Sequence, residues 1–211
     1  EAMVQIAKES GVEFYCNHEV SKLEIANGKI TSVQCKGQQF EAAAYINSAD
    51  YQFFEQELLP KKFRRYSAKY WQKRTLAPSC LLYYVGVEGK LKKLEHHNLF
   101  FDRDFQAHTN VIYDKAAWPA EPLMYVVMSS KSDATSAPPN CENVFILIPV
   151  AAGLKDTEAI KDAYFKQAIA RLEVFCGEKL EGRITYQRAY AQSNFISDYH
   201  SFKGNAYGLA N

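Results

Sequence analysis

The ten glycines of this 211-residue chain form neither a GxGxxG fingerprint nor a GxxxxGK[ST] loop, so the usual backbone cradle for a diphosphate is missing from the sequence. Cysteine is sparse and scattered. Cys16, Cys35, Cys80, Cys141 and Cys176 are odd in number, contain no CxxC pair and follow no secretion signal. That pattern argues against a disulfide framework and a cysteine zinc site, and makes a reducing compartment the expectation. No apolar run approaches the ~20 residues needed to cross a bilayer, so any membrane contact is expected to be peripheral. No nucleophile elbow or Ser/Cys pair accompanies the isolated His18, His108 and His200, which leaves a hydrolytic triad without support and assigns these histidines structural or surface roles. His96 and His97 beside Glu95 invite a metal reading, but neighbours in an extended segment point to opposite faces, so no metal site is expected.

Aromatics are plentiful. The 14 Tyr and 13 Phe, within a composition that is 47% hydrophobic and 23% charged, fit either broad apolar surfaces or a Phe/Tyr-rich sheet core. Residues 1 to 10 suit a helix closed by Gly11, and Val12, Phe14 and Cys16 alternate as a short strand, half of a βαβ step in a parallel sheet. Val20, Leu23 and Ile25, a turn at Asn27-Gly28, then Ile30 and Val33 spell a hairpin, because both central turn positions want positive φ. A second turn at Lys36-Gly37-Gln38 leads to Phe40, and Ala43, Ala44, Tyr45 and Ile46 read as a return to a buried strand.

Charge is concentrated in one place. Residues 61 to 74, KKFRRYSAKYWQKR, hold seven Lys/Arg and no acid, so the remaining 18 bases face 24 acids. Phe63, Tyr66, Tyr70 and Trp71 would share one face of a helix over this stretch. Three readings stay open: a solvated helix, a docking surface for anionic lipid, and a nucleic-acid contact. Further on, residues 79 to 87, 97 to 101, 123 to 128, 144 to 150 and 183 to 190 read as strands of an antiparallel or mixed sheet with one covered face. Residues 132 to 143 read as a loop. Ile160, Tyr164, Ala168, Leu172 and Phe175 recur at helical spacing, with Asp156 or Thr157 as cap and Gly177 as stop. Gly204, Asn205 and Gly208 mark a turn rather than a cofactor contact by spacing alone.

In order, GVEFYCNHEVSKLEIANGKITSV, YINSAD, LLYYVGV, LEHHNLFF, PLMYVVMSSKSDATSAPPN, VFILIPV and SDYHSFKGNAYGL resemble the phytoene desaturase family of FAD-dependent oxidoreductases, with the LEHHNLFF and SDATSAPPN pieces the more specific. The resemblance spreads over nearly the whole chain and implies a central portion of a longer protein whose glycine fingerprint lies outside these residues. It implies an α/β fold, α+β in the substrate part: residues 1–50 from a Rossmann-type FAD domain with a three-strand meander, 51–190 a mixed or antiparallel substrate domain flanked by helices, and 191–211 a return toward the flavin. It also implies backbone contacts to FAD at Val20 and along Asn47, Ser48 and Ala49, although the chain alone is not expected to hold the cofactor. The implied activity is dehydrogenation of a long apolar polyene with hydride transfer to FAD, the aromatic strands 79 to 87 and 123 to 128 being candidate walls for the substrate. A membrane-soluble substrate favours the lipid reading of Lys61, Lys62, Phe63, Arg64, Arg65, Tyr70 and Trp71, a cytoplasmic and peripherally membrane-associated protein, and no nucleic-acid partner. No catalytic residue is singled out. The alternatives are a non-catalytic apolar-ligand or membrane-binding module, or a polyene isomerase, saturase or oxygenase on the same fold.

Overall fold

The computed structural model describes residues 1–210, which divide into two compact units: Glu1–Ser48 with Phe54–Ser67, and Ala49–Phe53 with the residues from Ala68 onward. In the first unit, helix α1 (Ala2–Glu9) ends as expected near Gly11, whose φ of 85° lies in the left-handed region that a residue without Cβ adopts cheaply. Strands β1 (Val20–Ala26), β2 (Lys29–Cys35) and β3 (Gln38–Phe40) form an antiparallel meander. Its two turns follow the sequence signal: Asn27 and Gly28 have φ of 51° and 73°, Lys36 and Gly37 47° and 77°.

Two expected strands do not form. Val12 to Cys16 and Ala43 to Ile46 carry no ladder, and Ile46 is 96% exposed. An apolar run becomes a strand only where another strand pairs with its backbone, and no described strand pairs with either segment.

The basic stretch also departs from expectation. A π-turn at Phe54–Leu58 and a 3₁₀ turn at Lys61–Phe63 precede Arg64, whose φ of −71° and ψ of 131° are extended rather than helical. Glu55, 1% exposed, supplies the reason: its Oε1 accepts the backbone N–H groups of Arg65 at 2.6 Å and Tyr66 at 3.0 Å, so those donors serve a carboxylate instead of a helix.

In the second unit, single-turn α2 (Tyr51–Phe53) and short α3 (Ala68–Gln72) are followed by β4 (Ser79–Glu88), β5 (His97–Phe100), α4 (Phe105–Tyr113), β6 (Met124–Val127), β7 (Cys141–Val150), α5 (Glu158–Cys176), β8 (Ile184–Tyr190) and α6 (Gln192–Tyr199). The sheet runs β5-β6-β7-β4-β8, antiparallel at every pairing. The chain is therefore mixed α/β with two antiparallel sheets. The expected 132–143 loop is shorter than read, since Ala134–Ser136 make a 3₁₀ turn and β7 begins at Cys141.

Alternation along β4 and β7 sends Leu81, Tyr83, Val85 and Val87 with Val144, Ile146, Ile148 and Val150 to one face, all 3% exposed or less. Helix α5 covers that face with Phe165, Ala168, Leu172 and Cys176; the Tyr83 and Phe165 rings lie 5.3 Å apart, and the Tyr83 hydroxyl donates to the Lys161 carbonyl at 2.7 Å. Thr157 caps α5 by accepting the Ile160 N–H at 3.2 Å, and Gly177 ends it at φ 72°.

Candidate functional site

Because side chains alternate along a strand, burying one face of the five-stranded sheet under α5 leaves the other face to the intervening residues. The register puts Leu99, Tyr125, Leu147, Leu82 and Tyr190 in one row across the five strands, and His97, Val127, Phe145, Tyr84 and Arg188 in the next. Gly86 stands between Asn143 and Tyr186 in a third. No acid occurs in these rows. Leu99 is 64% exposed, Tyr186 54% and Tyr84 42%, so large side chains stand in the open on this face, while Leu82 within it is buried. The Tyr84 and Phe145 rings pack 5.3 Å apart.

Two hollows open on this face. One, of about 430 Å³, is bordered by Tyr84, Gly86, Val127, Asn143, Phe145 and Tyr186. Gly86 makes its floor: a Cβ there would come within 3.1 Å of the Tyr186 Cβ, tighter than ordinary contact. The second, of about 170 Å³, lies between α4 and the β5–β6 edge. At the sheet's β5 edge, His97 Nδ1 is 2.6 Å from the Tyr125 hydroxyl, and His96 Nδ1 is 2.5 Å from Ser132 Oγ. The two histidine rings lie 4.2 Å apart, which corrects the opposite-faces argument: His96 precedes the strand and is free of its alternation. Among the described residues no group of three or more His, Cys, Asp or Glu is placed to hold a metal ion.

His108 is a structural clip. Its Nδ1 accepts the Leu123 N–H at 2.8 Å, so Nε2 carries the proton and donates to the Pro149 carbonyl at 2.8 Å, fastening α4 to the sheet. Burial pushes the Cys80 thiol up to about 11, against a hydrogen bond with Tyr207 that lowers it, so Cys80 is a protonated core group rather than a nucleophile. His200 stacks on Phe53 with centroids 4.1 Å apart.

The residues expected to meet FAD are placed as follows. Val20 opens β1, half-buried, and the rings of Tyr15 and His18 pack around Phe40 in the same unit, at 4.9 and 6.4 Å. Asn47, Ser48 and Ala49 are exposed and outside any strand. Asp50, the next residue, accepts the Phe53 N–H at 3.0 Å and the Phe202 N–H at 3.1 Å, which the strand reading of this stretch did not anticipate. Asn205, 4% exposed, donates to the Phe202 carbonyl at 2.7 Å and accepts the Gly208 N–H at 2.5 Å, so Gly204, Asn205 and Gly208 make a side-chain-stapled turn.

Of the seven residues expected at a membrane surface, Lys61, Lys62 and Arg65 are exposed, while Phe63, Arg64 and Tyr70 are half-buried. Trp71 is 2% exposed, with Tyr51 and Phe202 edge-on at 5.2 and 6.4 Å, so it is a packing residue and cannot present itself to lipid. Among the described residues no helix is long and apolar enough to cross a membrane.

No protein-family model matches the chain. It is 35% identical over 210 residues to a carotenoid 3,4-desaturase of Haloarcula japonica, a match covering all of this chain and 42% of that protein. It is 26% identical over 226 residues to a phytoene desaturase of Neurospora crassa, again over the whole chain and 38% of the relative. The chain thus spans less than half the length of these curated relatives. Among solved structures, an oxidoreductase from Methanosarcina mazei superposes on 90% of this chain and 40% of its own, with a TM-score of 0.61 at 18% identity, a likeness of fold. Along its entire length, then, the chain is homologous to the carotenoid and phytoene desaturases, the family its ordered motifs resemble.

Proposed function

We propose that the chain is part of an FAD-dependent oxidoreductase that dehydrogenates a long apolar polyene, and that the open face of the five-stranded sheet is the wall along which the polyene lies. One observation carries the reading: an aromatic-rich sheet face, whose rows through Leu82, Tyr84 and Gly86 hold no acid, left partly open in a homologue of carotenoid desaturases. A rigid polyene gains from a preformed apolar platform because little conformational entropy is lost when it docks. Bound FAD would supply the two-electron acceptor for hydride leaving a saturated C–C unit. The main chain at Val20 and along Asn47, Ser48 and Ala49 would contact the cofactor, as family resemblance implies. The chain's own role is then to orient and desolvate the substrate, with residues 51–190 as the substrate-binding portion and 191–211 as the segment leading back toward the flavin.

Delivery of such a substrate calls for a membrane surface, and the exposed cations Lys61, Lys62 and Arg65 suit anionic headgroups in a peripheral, cytoplasmic association. Phe145→Asp in the intact protein tests the wall. It puts a carboxylate in the middle of the face, and kcat/KM for a polyene is expected to fall about tenfold or more while flavin absorbance stays unchanged. Unaltered turnover would remove the face from the substrate path.

A further inference from the structure

The smaller hollow, of about 170 Å³, is bordered by Leu99, Phe101, Phe105, Ile112, Leu123 and Tyr125. It is the β5 end of the open face, since Leu99 and Tyr125 begin the row that runs on through Leu147 and Leu82. The polar groups on its walls are all engaged. Both ring nitrogens of His108 are bonded, to Leu123 and Pro149. The Thr109 hydroxyl lies 2.9 Å from the Gln106 carbonyl and 3.2 Å from that of Phe105, within its own helix. The Tyr125 hydroxyl is paired with His97. No hydrogen-bond donor on its walls is therefore left for a ligand oxygen. An enclosed cavity of roughly 150 Å³ with Leu, Ile and Phe walls holds a benzene-sized molecule, so in volume this hollow, open at its mouth, matches one compact apolar group of about six carbons.

We propose that the hollow receives one hydrocarbon end of the polyene and discriminates against an end that carries a hydroxyl. The inference rests on the reading of the open face as the polyene wall. Leu99 and Tyr125 belong to both the face and the hollow, and a hydroxyl drawn to its floor would lose water and find no donor. Exposed Leu99, Phe101 and Phe105, at 64%, 60% and 59%, form its mouth.

The test titrates benzene and phenol into the chain by ligand-observed NMR, then adds a short acyclic polyene hydrocarbon whose own binding is followed by the shift of its absorption band. Benzene should bind about tenfold or more tightly than phenol, the loss expected when a hydroxyl is buried unpaired. The polyene should displace benzene. Ile112→Trp, which fills the hollow, and Leu99→Glu, which places a charge at its exposed mouth without touching the core, should each weaken benzene binding at least about tenfold. Equal binding of benzene and phenol, indifference to both substitutions, or a polyene that binds without displacing benzene would each overturn the end-group assignment while leaving the wall intact. A polyene that does not bind at all would overturn the wall, and this inference with it.

Discussion

His108 carries more of the architecture than its isolation in sequence suggested. It is 3% exposed and bonds two backbone groups from different strand ends, so His108→Leu keeps apolar volume but leaves a Leu123 N–H buried without a partner. We expect a loss of about 2–3 kcal/mol in urea unfolding, the cost of stranding such groups. Gly204 is a second such position. Its φ is 61°, and a Cβ there would stand 2.7 Å from the Gln192 Cβ and 2.9 Å from the Gln192 carbonyl oxygen. Gly204→Ala should therefore cost about 2–4 kcal/mol, against about 1 kcal/mol for Gly28→Ala, where φ is also positive but the space is open. Similar losses in the two variants would mean that strain alone governs position 204. Asp156 sets a pH dependence. Burial raises its pKa, but the Ser193 hydrogen bonds, its own backbone and the Lys161 charge outweigh that and hold the carboxyl below its usual range. A depressed pKa means stability present above the unfolded value, roughly 3.9, and lost as pH falls through the folded one. The stability gap between wild type and Asp156→Asn should accordingly shrink below about pH 4. A constant gap down to acid unfolding would show that the charge of Asp156 contributes nothing.

At the scale of elements, alternation and capping were readable wherever the partners lie in the same stretch of chain. The Asn27-Gly28 hairpin follows from two turn residues, and α5 from Thr157, a repeated apolar face and Gly177. Thr157→Ala should cost about 1 kcal/mol, the value of an ordinary N-cap, in thermal or urea unfolding. The helix expected over 61–74 forms only at Ala68–Gln72, because Glu55, outside the stretch, draws the Arg65 and Tyr66 amides away, and no local pattern announces a remote acceptor. Helix α4 lies where no element was expected, although Asp104, which accepts the Ala107 N–H at 3.0 Å, is an N-cap residue legible in sequence. Helix α6 gave less signal: its cap position is Ala191, and Asn194 Oδ1 reaches back to accept the Ala191 N–H at 2.9 Å. The candidate site was half legible. The resemblance made the aromatic strands candidate walls, but which face lies open depends on α5 covering the other, and the hollows depend on Gly86 and on α4 reaching the β5 edge.

For the molecule as a whole, burial is divided unequally between the two units. Leu23 and Cys35 are the buried hydrophobic side chains in the first unit among the described residues, whereas in the second both sheet strands and α5 contribute to a continuous core that includes Leu81, Tyr83, Ile146, Ile148 and Leu172, each essentially inaccessible. Hydrophobic burial of about 25 cal/mol per Å² is the main term opposing chain entropy, so the meander is held by less of it than the larger sheet is. β4 and β7 pair in unbroken antiparallel register over ten residues each, beneath a helix. Local opening free energies follow such differences, ranging from near zero in poorly buried elements up to the global value in core strands. Amide hydrogen exchange should therefore be fast across β1, β2 and β3 and slowest in the Leu81–Val85 and Val144–Ile148 segments. Leu23→Ala should accelerate exchange through the meander while leaving the β4 and β7 amides unchanged. Equal protection in the two sheets would mean that side-chain burial does not set the difference in local stability.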